Sequence, residues 1–399
     1  MKNNVYYGEY TLSYWIQMIE NGTIVLPEYQ RGFVWSVEAV KHMIESLNSD
    51  EFIPPVTIGA YHQGDKNVNY ILDGQQRLTS LLLLKYGIYL NQDTWTIVEK
   101  VYVSNDEATD ENNEEADSIE IAWTFREILK DIETFNKPDM TKYHAEDYGI
   151  SKEKLDAFLH EKYLGFSYFV PDASMSQPQI FASIFRNINH TGVKLSARES
   201  RESLYYWDPS IRKLFSPPFG NLIKIQPKGQ KKQMVDFVRY LSIVSQYITQ
   251  GEDSIAAGGR YPMNLEQYYE DYIFSIVKRE REYMFGVFET LFPDRNYEPD
   301  LERLSNVLTQ LGFFSGTFDS IIPLDMYMFG LVYHVLFMRK EIDMSRKEEL
   351  RQELADAIML LLHGDSLDSR TLHARSPSAK KYVKERIKAS IDIYGRYLV

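Results

Sequence analysis

The stretch Tyr70–Tyr89, YILDGQQRLTSLLLLKYGIY, decides the reading of this chain. It opens as a short apolar strand and closes as a helix of nearly unbroken leucine, a run that fits only a buried helix. Between them lies Asp73-Gly74-Gln75-Gln76-Arg77, a polar turn built round one glycine. Local chemistry accounts for part of it. Asp73 reads as the helix N-cap, with Gln76 as its capping-box partner. Gly74 supplies a backbone angle that other residues avoid. Arg77 has no such account, because a cation in the first turn opposes the helix dipole at about 0.3–1 kcal/mol unless an anion offsets it. Backbone N–H groups, a glycine that lets a ligand approach and an arginine fork together suit a phosphate. On this stretch alone, a capped turn and an anion site both stay open.

Working outward, PPVTIGAYHQGDKNVNYIL (54–72) predicts two strands joined at QGDKN. Helices are expected over LSYWIQMIENG (12–22) and over SVEAVKHMIESLNS (36–49), the second capped by Ser36, with extended TIVLPEYQRGFVW between them. Residues 91–165 read as an insertion carrying a Trp-containing strand, an acidic loop and helices at FREILKDIETF and SKEKLDAFLHEKY. A strand returns at GFSYFV (165–170), then a helix over QPQIFASIFRNIN and the turn HTGVKLS. The paired prolines of SPPFGN (216–221) mark the domain boundary. Beyond it the pattern is helical, including NLEQYYEDYIFSIVKREREYMFGVFETLF (264–292) and SAKKYVKERIKASIDIYGRYL (378–398). The expected class is α+β: an N-terminal domain over 1–215 and a mostly α-helical C-terminal domain over 216–399.

The 399 residues, 44% apolar, are enough for two packed cores. The absence of cysteine excludes disulfides, thiolate catalysis and cysteine-held metals, and fits a reducing compartment. The N-terminus has no signal-peptide core and no run reaches a membrane span, so a cytoplasmic protein without a membrane partner is expected. The net charge of −13 is uneven, since Asp106–Glu120 holds eight acids and no base. That run reads as a solvated insert. Two basic clusters remain, Lys224, Lys228, Lys231 and Lys232, and then Arg375, Lys380, Lys381, Lys384, Arg386 and Lys388. Each is either a solvated face or a nucleic-acid contact, and Lys380, Lys381 and Lys384 are the candidate DNA-binding residues.

Two more polar clusters accompany the turn. LPEYQRGFVW sets Gln30 and Arg31 among apolar and aromatic residues, and IFRNINHTGVKLS sets Arg186, Asn187, Asn189 and Thr191 round Gly192. Alone, one is a surface ion pair and the other a helix C-terminal turn. Together with DGQQR, in this order, they resemble the N-terminal domain family of GmrSD-type restriction endonucleases, over roughly residues 10–215. That family belongs to the ParB/sulfiredoxin-like superfamily, whose nucleotide site uses a Gly-x-x-Arg turn; Gly74-Gln75-Gln76-Arg77 is similar to it.

The resemblance implies binding and hydrolysis of a nucleoside triphosphate with Mg²⁺, coupled to restriction of phage DNA. It makes Asp73 a metal contact or the group that orients water, and Gly74 a phosphate cradle. Gln75 and Gln76 would position water or phosphate oxygens, with Arg77 and Arg31 neutralising charge. Gln30, Arg186 and Asn189 would complete the nucleotide site. Longer family members carry an HNH-type nuclease, but here the late histidines are His334, His363 and His373, and no asparagine follows Asn306. The expected partners are therefore DNA and a separate nuclease or defence subunit, with homo-oligomerisation left open. A nucleotide-gated clamp or sensor with little turnover, and a DNA-nicking enzyme with an unrecognised site, are the rival readings.

Overall fold

The computed structural model describes the chain apart from residues 1–3, 28–31, 64–65, 92–93, 95–96, 99–100, 103–119, 122, 172–179, 181–183, 185–200, 207, 228–232, 256–264, 278–281, 287, 364–372, 374–376 and 378. Two units emerge, Met1–Glu99 with Glu114–Tyr206, and Lys100–Asn113 with Trp207–Val399.

In the first unit the strands are β1 (Asn4–Thr11), β2 (Ile24–Val25), β3 (Val56–Gln63), β4 (Lys66–Asp73), β5 (Ile88–Leu90) and β6 (Ile97–Val98), then β8 (Glu120–Ile121), β9 (Tyr143–Ala145) and β10 (Tyr163–Val170). Its helices are α1 (Leu12–Glu20), α2 (Val37–Asn48), α3 (Gln75–Tyr86), α4 (Phe125–Phe135) and α5 (Lys152–Glu161). A mixed five-stranded sheet runs β1-β10-β3-β4-β2. β1 lies antiparallel to β10, β10 parallel to β3, β3 antiparallel to β4 and β4 parallel to β2.

Strand alternation sorts the two faces of this sheet. Val56, Ile58 and Ile71 enter a core shared with Trp15 and Ile19 of α1, Ile44 of α2 and the leucines of α3. The leucines at 78 and 81–84 are all buried, so α3 is enclosed on every side; this is why its sequence lacks an amphipathic period. The predicted β3–β4 hairpin and helix α2 are present, and Ser36 caps α2 by accepting from the Ala39 N–H. Two readings need amendment. The stretch expected to be extended forms only the short β2 before residue 28, and β1 has no counterpart among the predicted elements.

In the second unit, β11 (Lys224–Ile225) and β12 (Gln233–Met234) join β7 (Val101–Tyr102) in a small sheet. Its longer helices are α6 (Phe237–Gln250), α7 (Leu265–Val277), α8 (Glu298–Gln310), α9 (Ile321–Leu331), α10 (Lys347–His363) and α11 (Lys380–Gly395). Within the predicted helical segment 264–292, α7, Glu282–Phe285 and Phe288–Leu291 are helical, residues 278–281 lie outside the described residues, and the helix is interrupted between the last two pieces. Gly286 between them takes φ +74°, which stops an α-helix. α9 and α11 cross closely at Gly330, whose N–H donates to Ser390 Oγ at 2.7 Å. Among the described residues, no helix is long and apolar enough to cross a membrane.

Candidate phosphate-binding turn

The chain leaves the sheet at Asp73, the last residue of β4, and Gly74 is the N-cap of α3 with φ +95° and ψ 12°. This left-handed conformation disfavours a side chain. Space does too: a Cβ built on Gly74 would lie 2.9 Å from Val56 Cγ2 and 3.1 Å from Arg77 Nη2. The capping box is absent. Gly74, not Asp73, is the cap residue, and no side chain among the described residues caps this twelve-residue helix. Asp73 instead accepts from Arg77 Nη2 at 2.6 Å. The anion that offsets the first-turn cation is thus the preceding carboxylate.

The rest of the Arg77 guanidinium is poorly served. Nη2 reaches the Pro55 carbonyl only at 3.5 Å, and the buried Nε has no acceptor among the described residues. A buried N–H left without an acceptor costs about 1–3 kcal/mol. Arg77 is 13% exposed and Asp73 31%, which leaves their pair reachable from solvent.

Gln76 has a different role from the expected one. Its Oε1 accepts from the Val34 N–H and its Nε2 donates to the Gly32 carbonyl, each at 3.1 Å. The amide therefore clips Gly32–Val34 to the turn. Other bonds pin Phe33, Trp35 and Leu26. Phe33 N–H donates to the Trp123 carbonyl, Tyr89 Oη to the Trp35 carbonyl and Arg126 Nη2 to the Leu26 carbonyl. Gln75 is buried beside the turn. Trp123 and Arg126, in the insertion, were not singled out from the sequence, because backbone carbonyls as partners leave no motif. Gln30, Arg31, Arg186 and Asn189 lie outside the described residues, although Gly32, next to Arg31, is held on Gln76.

The fit of Mg²⁺ turns on its donors. No group of three or more acidic or histidine side chains that could hold a metal occurs among the described residues. Asp73, with one oxygen on Arg77, offers a single carboxylate. That suits a Mg²⁺ carried by phosphates and water rather than a cation caged by protein.

The candidate DNA contacts are on α11. Lys380 and Lys381 are exposed at its start, whereas Lys384 donates to the Asp253 carbonyl at 2.8 Å. Arg386, counted in the same basic cluster, is fully buried, its Nε 3.0 Å from Asp325 Oδ2. Arg239 meets the same carboxylate at 2.9 Å. Burial of Arg386 removes it from any surface charge. His373 bridges onward, 2.8 Å from Glu385 and 3.4 Å from Arg386. His334 contacts the Ile391 carbonyl at 2.9 Å. Both histidines serve the packing of α11.

Residues 12–206 match the family described as GmrSD restriction endonuclease, N-terminal domain. An uncharacterized protein of Methanocaldococcus jannaschii is similar, 24% identical over 256 residues that cover 51% of this chain and 43% of that protein. The chain thus spans less than half the length of that relative. No solved structure matches significantly.

Proposed function

The chain belongs, over residues 12–206, to the GmrSD restriction endonuclease N-terminal domain family, and from that premise we propose that it binds and hydrolyses a nucleoside triphosphate as a component of an anti-phage DNA-restriction system, acting with a partner nuclease. One observation carries the reading. Helix α3 starts from a left-handed glycine, and Arg77 folds back over that glycine with its buried Nε lacking an acceptor among the described residues. The mixed sheet with its strand–turn–helix supports the ParB/sulfiredoxin-like fold for this domain, and the helices beyond Trp207 support a helical second domain.

In this reading the triphosphate takes the place of Asp73 on Arg77, whose Nη2 and Nε then form a two-pronged contact. The first-turn amides of α3 face a phosphate oxygen, and the missing Cβ of Gly74 lets it approach. Gln76 fixes Gly32 and Val34 beside the turn. Mg²⁺ would come with the triphosphate, take Asp73 as its protein carboxylate and neutralise phosphate charge. Asp73, released by Arg77, is also the group placed to orient water. The closed Asp73–Arg77 pair favours a second reading as well, a nucleotide-gated clamp in which exchange of Arg77's partner is the switch and turnover is slow.

Titration calorimetry of the full chain with Mg²⁺ and each common triphosphate tests binding, and steady-state phosphate release separates the two readings. Arg77→Ala is expected to weaken binding at least ~10-fold, the loss of a charge-assisted contact. Apo stability should stay within about 1 kcal/mol, because Asp73 left alone near a helix N-terminus is favourable. No saturable response to any triphosphate would remove the reading.

A further inference from the structure

Beyond the turn, the sheet carries a row of side chains that no motif marks. Strand register sets Asp73 opposite Thr57, Thr57 beside Ser167 and Ser167 opposite Tyr7. Their neighbours in sequence fix the face. Val56 and Ile58 are buried in the core, so Thr57 points the other way. A Cβ on Gly8 would meet the Phe166 ring at 2.7 Å, and Phe166 stacks on core-facing Tyr10, so Tyr7 and Ser167 also point away from the core. Thr57 Oγ1 and Ser167 Oγ are 2.9 Å apart, both half-buried, and Tyr7 at the sheet edge is 76% exposed.

Resting on the phosphate reading of the turn, we infer that this row is the nucleoside part of the same site: Thr57 and Ser167 take the ribose and Tyr7 stacks on the base. The spacing suits it. At ~4.8 Å per strand, Tyr7 lies about 14 Å from Asp73, the reach of an extended nucleoside triphosphate from terminal phosphate to base. With one O–H spent on the bond between them, the paired hydroxyls keep one donor and free lone pairs, which fits ribose hydroxyls and disfavours a sugar that lacks one. An exposed tyrosine ring stacks on any base, so the row selects ribonucleotides while tolerating base identity.

The test is calorimetry on the full chain with Mg²⁺ and three probes: ATP, dATP and inorganic tripolyphosphate. The wild-type chain should bind ATP several-fold tighter than dATP. Thr57→Val or Ser167→Ala should erase that preference, and Tyr7→Ala should weaken ATP and dATP alike by roughly 10-fold, with Tyr7→Phe restoring them. Tripolyphosphate affinity should be unchanged in all four variants. If tripolyphosphate binds but Tyr7→Ala holds ATP as well as the wild type does, or the ATP preference survives Thr57→Val and Ser167→Ala, the inference is overturned and the phosphate reading stands. If tripolyphosphate does not bind the wild-type chain, the phosphate reading fails and the inference with it.

Discussion

Gly74 combines two constraints that are separable by experiment. Its φ of +95° penalises any side chain, and the 2.9 Å approach to Val56 penalises the first carbon of one. Gly74→Ala should therefore destabilise the apo protein by about 1–3 kcal/mol and abolish triphosphate binding, as read by denaturant unfolding and calorimetry. The glycine's angle was legible in the sequence, since few other residues suit a turn of this kind. The partner of Arg77 was not. With glycine as the cap, Asp73 falls at the end of β4, one residue too early to reach the first-turn amides and free to pair four residues ahead. Asp and Gly in succession allow either register, and only the strand end decides.

At the scale of elements, Gln76 ties α3 to Gly32–Val34. Gln76→Leu removes both bonds, leaving Gly32 O and Val34 N–H without that partner. It should cost about 1–3 kcal/mol and speed hydrogen exchange at Val34 before the core of α3 is affected. Helix α11 divides by face in the same way. Lys380→Gln with Lys381→Gln should leave stability within about 0.5 kcal/mol and, if this chain touches DNA, flatten the salt dependence of binding. Arg386→Met should cost about 3–5 kcal/mol in thermal or denaturant unfolding, because it breaks a buried ion-pair network. Sequence showed the charges of α11 but not its inward face, where apolar and basic residues alternate too closely to assign. It also passed over β1, since NVYYGEYT is an edge strand with exposed tyrosines and lacks the apolar alternation of a half-buried strand.

For the whole molecule, acid should act on the second unit through His334 and His373. Burial pushes both below the ordinary histidine value, and for His373 the neighbouring Arg386 adds to the shift while Glu385 opposes it. Folding thus favours the neutral rings, so their contribution is complete above pH ~6.5 and is lost as pH falls through the lowered folded values. Stability should fall between pH 7 and 5 by up to about 1.4 kcal/mol per pH unit for each histidine, and His373→Gln should flatten that slope in thermal unfolding. Length and the change to helical periodicity argue for two parts, and the chain divides into two compact units with other bounds. Less legible was the path between them, because β7 lies inside the insertion and its two residues pair with β12, far along the chain. This path also constrains descent. The chain passes from one unit to the other and back before its final crossing, so a single recombination at the end of the first unit would pair β12 with a β7 from the other parent. Relatives that exchange their second unit must either carry residues 100–113 along with it or hold a β7 that pairs with the incoming β12.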